Sequence, residues 1–159
     1  MQKRIYCKTS EIEQETFKNI IKRIKGIKEI TVIDEENYDN DTLLYIIRYC
    51  RCNLINLSFI TNGIRKNSKG EYEHISKSEI NKIINLGFDK IILNLQETNM
   101  DMYDSLYNAR AIEHSASTLI QASTMRIETQ VNYIPLRTNY KDFHNIIDLF
   151  NSSLVKSIN

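Results

Sequence analysis

The chain has 159 residues, a hydrophobic fraction of 42%, a charged fraction of 26% and a formal net charge of +1. A chain of this size can bury about two thirds of its unfolded surface, so we expect residues 1–159 to form a single domain. The balanced charge argues against a nucleic acid partner, and no apolar run approaches the roughly 20 residues of a membrane span. Three cysteines at irregular spacing predict no disulfide framework, and the start of the chain has no signal-peptide core, so we expect a cytoplasmic protein.

Helical and extended patterns alternate along the chain. Predicted strands lie at Arg4–Cys7, Ile30–Ile33, Leu57–Ile60, Lys90–Leu95 and Arg126–Tyr133, with a further one near Val155–Ile158. Five helices follow or separate them. Their starting signals are a capping box at Ser10 and Glu13, Asn40 or Asp41, a second capping box at Ser76 and Glu79, a long helical region from about Met100 to Ala122, and Asn139. Gly87 ends the third helix.

Regular strand–helix alternation predicts a parallel α/β sheet with right-handed crossovers. Strands covered by helices on both faces are apolar throughout, whereas these strands have one polar face. The polar face carries Asn56, Ser58, Asn62, Asn94, Gln96, Glu128, Gln130 and Asn132. We therefore expect a partial TIM-type barrel of five or six strands, with helices on one face and a polar concave side. An open sheet with one exposed face is the alternative.

Polar residues also gather where the strands end. Asp34-Glu35-Glu36, Thr61-Asn62-Gly63 and Gln96-Glu97 follow three strands, and Arg137 and Asn139 follow another. Ligands bind at this edge of parallel α/β folds. The candidate ligand-binding residues are therefore Asn62, Asn94, Gln96, Glu128, Gln130 and Asn132, with a small polar molecule as the expected ligand.

The order of these signals resembles the radical S-adenosylmethionine (SAM) superfamily over nearly the whole chain. Asp34-Glu35-Glu36 stands where that family has Gly-Gly-Glu-Pro, and Leu57–Gly63 resembles its third strand with the Thr-Asn-Gly ending. Leu86–Leu95 resembles the entry to its fourth strand, Met102–Leu106 the following helix start, and Arg126–Asn132 with Asn139 its fifth strand. The resemblance implies a barrel fold, an iron–sulfur cluster and SAM as cofactors.

The cluster-binding motif is incomplete. The family holds four irons through Cys-x-x-x-Cys-x-x-Cys, and only Tyr6-Cys7 matches the end of that motif, with Arg4 in place of the second cysteine. The resemblance assigns Cys7 to the metal and Glu36 to the amino group of SAM. Asp34 and Glu35 replace the glycines that allow close approach to SAM. One cysteine does not retain such a cluster, so we expect no cofactor on the isolated chain.

The other cysteines and the histidines indicate no second site. Cys50 continues the apolar stripe of the second helix, which predicts a core residue, and Cys52 points elsewhere. His74, His114 and His144 are scattered and form no catalytic or zinc pattern. No residue is assigned as catalytic.

Three hypotheses follow. The first is a degenerate radical SAM-like domain, a pseudoenzyme that binds a small polar ligand, or a protein or peptide partner or second copy at its open sheet edges. The second is an active radical SAM component whose missing cluster ligands come from another chain. The third is a Mg²⁺-dependent α/β hydrolase or nucleotide-binding protein that uses Asp34, Glu35 and Glu36, although the chain has no phosphate-binding loop.

Overall fold

The computed structural model describes residues 3–34, 36–95 and 111–133, together with residues 144, 147–148 and 157–158. The strands are β1 (Lys3–Cys7), β2 (Ile27–Ile33), β3 (Asn56–Thr61), β4 (Ile64–Lys66), β5 (Tyr72–His74), β6 (Lys90–Leu95), β7 (Glu128–Tyr133) and β8 (Ser157–Ile158). The helices are α1 (Gln14–Arg23), α2 (Asp41–Asn53), α3 (Lys77–Leu86) and α4 (Ala111–Ser123). None of the described helices is both long and apolar enough to cross a membrane. Residues 100–110 and Asn139 of the predicted helices lie outside the described ranges.

Six of the described strands form one sheet in the order β1-β2-β3-β6-β7-β8, and every neighbouring pair is parallel. The strand order follows the chain and never reverses, unlike the order of a doubly wound sheet. Right-handed crossovers in such an order place all helices on one face, and the sheet curls away from them. The predicted partial barrel is confirmed, and within the described residues the sheet is not closed.

The hydrophobic core lies between the sheet and the helices. Phe59 and Ile91 are at most 1% exposed, and they pack with Phe17 of α1, Ile46 of α2 and Ile83 of α3. Phe59 and Ile91 lie on the face of the sheet that the sequence pattern predicts to be apolar. The alternation of side chains along each strand therefore predicted the helix-facing side correctly.

The opposite face, which we call the concave face, is not uniformly polar. Ile33 pairs with Ile60, and Ile60 pairs with Ile92, so an aliphatic row crosses the middle of the polar face. Ile92 is fully buried, and Gln130, its register partner on β7, is 3% exposed. The row separates charged side chains at one end of the strands from amides at the other.

Helix starts follow local side-chain chemistry at two of the three predicted caps that lie within the described residues. Asn40 accepts a hydrogen bond from the backbone N–H of Leu43 at 3.1 Å, and Ser76 accepts one from that of Glu79 at 3.3 Å. The cap predicted at Ser10 is wrong: α1 begins at Gln14, and Glu13 occupies the cap position without a side-chain hydrogen bond. A turn closed by Glu11 N–H on the Lys8 carbonyl takes up this segment first.

A short antiparallel hairpin, β4–β5, follows β3 and was not predicted from the sequence. Its turn is held by Asn67, whose Oδ1 accepts from the N–H groups of Lys69 and Glu71. Gly70 adopts a φ of 81°, which a side chain would strain. The hairpin places Arg65 beside the ends of β2 and β3.

Substitution of Asn40, which caps α2, and of Ser10, which caps no helix, tests these helix starts. We expect Asn40→Ala to lower the free energy of unfolding by about 1 kcal/mol, because Leu43 N–H loses its acceptor. Ser10→Ala is the matched control and should change it by less than about 0.5 kcal/mol. Urea denaturation followed by circular dichroism measures both. Equal effects of the two substitutions would contradict the assignment.

Candidate functional site

Two of the predicted ligand-binding asparagines lie side by side at the carboxyl end of the concave face. Asn94 of β6 pairs in register with Asn132 of β7, and both are half-buried. Asn62 directly follows Thr61, the register partner of Leu93, so it continues the same row. Gln130 Nε2 donates to Asn132 Oδ1 at 2.9 Å. We call Asn62, Asn94 and Asn132 the amide row; Gln96 lies outside the described residues.

The turn that carries Asn62 is held from two sides. The side-chain Oδ1 of Asn62 accepts a hydrogen bond from the N–H of Ile64 at 3.2 Å. The backbone carbonyl of Asn62 accepts one from Ser115 Oγ of α4 at 2.6 Å. Gly63 has a φ of 86°, and a Cβ there would lie 2.6 Å from Leu93 Cδ2. Glycine is therefore required at this position, and α4 fixes where Asn62 stands.

Glu128, another predicted ligand-binding residue, lies toward the opposite end of the concave face. Lys90 Nζ is 3.3 Å from Glu128 Oε1 and donates to Gln130 Oε1 at 3.5 Å. The aliphatic row separates Glu128 from the amide row. The structure thus divides the predicted set into the amide row and an ion pair that joins β6 to β7.

Arg4, at the position where the resemblance described above expects a second cysteine, belongs to a second ion pair on the concave face. Its Nε donates to Glu29 Oε2 at 2.7 Å, while Ser58 Oγ donates to Glu29 Oε1 at 2.6 Å. Glu29 is 7% exposed, so its charge requires these partners. The hydrogen bond with the Tyr6 hydroxyl and the charge of Glu29 raise the pKa of Arg4, against the effect of burial.

Cys7, the predicted metal ligand, lies on the helix-facing side of the sheet. Cys7 pairs in register with Val32. Because it comes three residues after Arg4 in the same strand, its side chain lies on the opposite face of the sheet. Cys7 belongs to the hydrophobic core and is 7% exposed. Burial raises the pKa of nearby Cys50 to about 12, and the proximity of Cys7 adds to this. Cys50 is the core residue predicted from sequence. The described residues contain no group of three His, Cys, Asp or Glu side chains that could hold a metal ion.

Arg65 forms an ion-pair network at the ends of β2 and β3 that the sequence did not indicate. Its Nη1 donates to Asp34 Oδ1 at 2.6 Å, and Thr61 Oγ1 donates to the same oxygen at 2.7 Å. Asp34 has a φ of 43°, a left-handed conformation that Asp tolerates better than most residues. The carboxylate at the position that resembles the first glycine of the Gly-Gly-Glu-Pro segment is thus bound to a guanidinium of the same chain.

The same guanidinium reaches α3 and the β2–α2 connection. Arg65 Nε donates to Glu79 Oε1 at 3.1 Å, Tyr38 Oη donates to that oxygen at 3.1 Å, and Arg65 Nη1 is 3.9 Å from Glu36 Oε1. Burial alone would lower the pKa of Arg65, but contact with Asp34 overcomes it and raises that pKa. Burial, followed by the charge of Glu79, raises the pKa of Tyr38, so the phenol remains a neutral donor. We call Asp34, Tyr38, Thr61, Arg65 and Glu79 the Arg65 cluster.

Removing the central cation should destabilise the protein. Arg65→Met leaves Asp34 and Glu79 without their guanidinium, and we expect a loss of about 2–3 kcal/mol in unfolding free energy. Arg48→Met, at an exposed position of α2, is the control and should stay within about 0.5 kcal/mol. Urea titration measures both. In a double-mutant cycle with Asp34→Asn, a coupling energy near zero would contradict the ion pair.

Cysteine reactivity should follow the burial of each thiol. At pH 8 in the folded protein, iodoacetamide should modify exposed Cys52 and leave Cys7 and Cys50 largely unmodified, because alkylation requires an accessible thiolate. Peptide mass spectrometry locates the label, and the same reaction in denaturant should modify all three cysteines. Labelling of native Cys7 at the rate of Cys52 would show that Cys7 is available to a metal after all.

Comparison with known proteins identifies the fold. No protein-family model and no curated protein matches the sequence. Crystal structures of Streptococcus suis SuiB, a radical SAM enzyme, are similar to this chain at 13% sequence identity. SuiB bound to S-adenosylmethionine matches with a TM-score of 0.62, covering 92% of this chain and 33% of SuiB. SuiB bound to precursor peptide SuiA matches with a TM-score of 0.63, covering 92% and 32%. This chain therefore spans about a third of the length of SuiB and has a radical SAM-like fold.

Proposed function

We propose that this chain is a radical SAM-like domain that carries no iron–sulfur cluster of its own and serves to bind a partner or ligand. The observation that carries the proposal is that three of the positions that resemble the family's cofactor-binding motifs are engaged in contacts within the chain. Arg4 pairs with Glu29, Cys7 packs in the core, and Asp34 is held by Arg65. A group engaged in this way would have to give up those contacts before it could bind a cofactor.

The cluster itself does not fit the described residues. A four-iron cluster takes thiolates at nearly every iron, and Cys7 lies on the side of the sheet facing the helices, away from the concave face. SAM fits the end of β2 poorly, because Asp34 stands where the resemblance places a glycine, and a side chain there hinders close approach to the backbone. The Glu36 side chain is 70% exposed. These features support a binding role over catalysis by the isolated chain.

The amide row supports a peptide or a small polar molecule as the bound species. Side-chain amides both donate and accept, which suits peptide groups and other neutral polar groups. Asn94 is half-buried, and its side chain forms no hydrogen bond with another described residue. SuiB has been crystallised with a precursor peptide. A peptide or protein partner is therefore our first choice, with pairing of a second copy at the β1 edge as a further mode.

Coordination of Mg²⁺ by Asp34, Glu35 and Glu36 receives little support. Asp34 Oδ1 already accepts from both Arg65 and Thr61, and a guanidinium in contact with the carboxylate opposes a divalent cation. Glu36 lies 3.9 Å from the same guanidinium, and Glu35 lies outside the described residues.

Iron and acid-labile sulfide after anaerobic reconstitution test the proposal. We expect far less than one iron per chain and no visible absorption band, because the described residues offer no converging thiolates. A radical SAM enzyme with an intact three-cysteine motif, reconstituted in parallel, controls for the procedure.

Iron approaching about four per chain, together with SAM cleavage, would overturn the proposal. It would support the active-enzyme alternative, in which another chain or an unassigned group supplies ligands. In that case Cys7→Ala should abolish cluster retention by the assembled complex. Retention of the cluster in that variant would exclude Cys7 as a ligand.

A further inference from the structure

We propose that a groove between the β2–α2 connection and α3 binds a short basic segment of a protein partner. The inference rests on the proposed binding role and names the chemistry of the partner. The groove lies on the outside of the domain, next to the Arg65 cluster and apart from the amide row. Glu36 and Asp39 form one wall, and Lys82 of α3 stands on the other.

The size and floor of the groove suit a few side chains of a peptide. Its volume is about 540 Å³, within the range of sites that hold drug-sized ligands. Leu44 of α2, Leu86 of α3 and the ring of Tyr38 form an apolar floor, and all three are only partly buried. Each also packs against the main core, so the floor is fixed in place. Aliphatic side chains of a partner would gain free energy by covering this floor.

The charge around the groove is predominantly negative. Among the described residues that line it or stand in the Arg65 cluster behind it, four carboxylates face two cations. The carboxylates are Asp34, Glu36, Asp39 and Glu79, and the cations are Arg65 and Lys82. Arg65 is committed to Asp34 and Glu79. The excess negative charge therefore lies on the loop wall of the groove.

Glu36 and Asp39 are the groups best placed to meet a basic side chain. The Glu36 side chain is 70% exposed, and its contact with Arg65 is long at 3.9 Å. The backbone N–H of Asp39 donates to Asn37 Oδ1 at 3.1 Å, which fixes the loop while the Asp39 side chain stays exposed. Tyr38 is held by its hydrogen bond to Glu79. The wall is thus formed before a ligand arrives, which reduces the entropy lost on binding.

Lys82 carries the opposite charge to Glu36 and Asp39, so substitutions on the two walls should change the affinity for a basic segment in opposite directions. An arginine or lysine between Glu36 and Asp39 gains from both carboxylates and is repelled by Lys82. An acidic segment would have the reverse preference and would meet the excess of carboxylates. Aliphatic residues flanking the basic residue would lie on Leu44 and Leu86. The expected occupant is therefore a segment in which leucine-like and arginine-like residues are neighbours.

Fluorescence anisotropy with synthetic probes tests this preference. The probe is a fluorescein-labelled hexapeptide that alternates leucine and arginine, and the matched control alternates leucine and glutamate. We expect the double variant Glu36→Lys/Asp39→Lys to weaken binding of the basic probe by about tenfold or more, and Lys82→Glu to tighten it by about threefold. Added salt should weaken binding of the basic probe.

A matched charge reversal elsewhere separates groove binding from general attraction. Glu13→Lys/Glu15→Lys, at the cap position and in the first turn of α1, changes the net charge by the same amount, and binding of the basic probe should remain within about twofold of the unmodified protein. Circular dichroism establishes that each variant is folded. Equal weakening by the α1 pair, equal binding of the acidic probe, or an unchanged affinity in Lys82→Glu would overturn the proposal.

Analytical ultracentrifugation of the unlabelled protein tests whether a second copy of this chain occupies the groove instead. If the chain self-associates and Glu36→Lys/Asp39→Lys abolishes that association, the groove receives a second copy and the partner proposal is wrong. The outcome is independent of the iron measurement. If the chain holds no cluster and does not bind the basic probe, only the groove proposal is wrong. If the chain holds a cluster and binds the probe, the groove proposal stands and the proposed cluster-free function is wrong.

Discussion

The guanidinium of Arg65 is the contact through which the ends of two central strands, the β4–β5 hairpin and α3 are joined. A buried cation costs several kcal/mol to desolvate, so it must be surrounded by partners. Asp34 and Glu79 supply the charges, and the Phe59 ring lies 5.9 Å from the guanidinium carbon. The β2–α2 connection, the hairpin and the start of α3 therefore take positions that satisfy one side chain.

That arrangement changes what the carboxyl edge of the sheet can do. In parallel α/β folds, loops at this edge are usually available to ligands. Here the loop after β2 is tied to the protein through Asp34, while the turn after β3 is tied to α4 through Ser115. The exposed chemistry is thereby shifted to the amide row on the inside and to Glu36 and Asp39 on the outside. A shared fold with SuiB thus locates the edge where function is expected without specifying its chemistry.

The features that could be predicted are those set by neighbours in the chain. The alternation of Leu57, Phe59, Ile91 and Leu93 fixed the core face, and the Asn40 and Ser76 caps depend on residues three positions away. Arg65 could not be anticipated, because Asp34 lies 31 residues away and Glu79 lies 14 away, and no local pattern marks an ion pair at such distances. The misplaced cap at Ser10 shows the reverse case, in which a local pattern lost to a competing turn.

The unbroken strand order has a consequence for how the protein is assembled during synthesis. Each strand from β2 to β7 in the six-stranded sheet pairs with one that precedes it in the chain, so its template already exists when it leaves the ribosome. β1 can pair with β2 once α1 has formed, and β3 can then add to β2 before β6 has been translated. Among the described strands of this sheet, none has to be inserted between two strands that precede it in the chain. Growth from the amino end exposes one unfinished edge at a time, which limits the surface open to wrong pairing while the chain is incomplete.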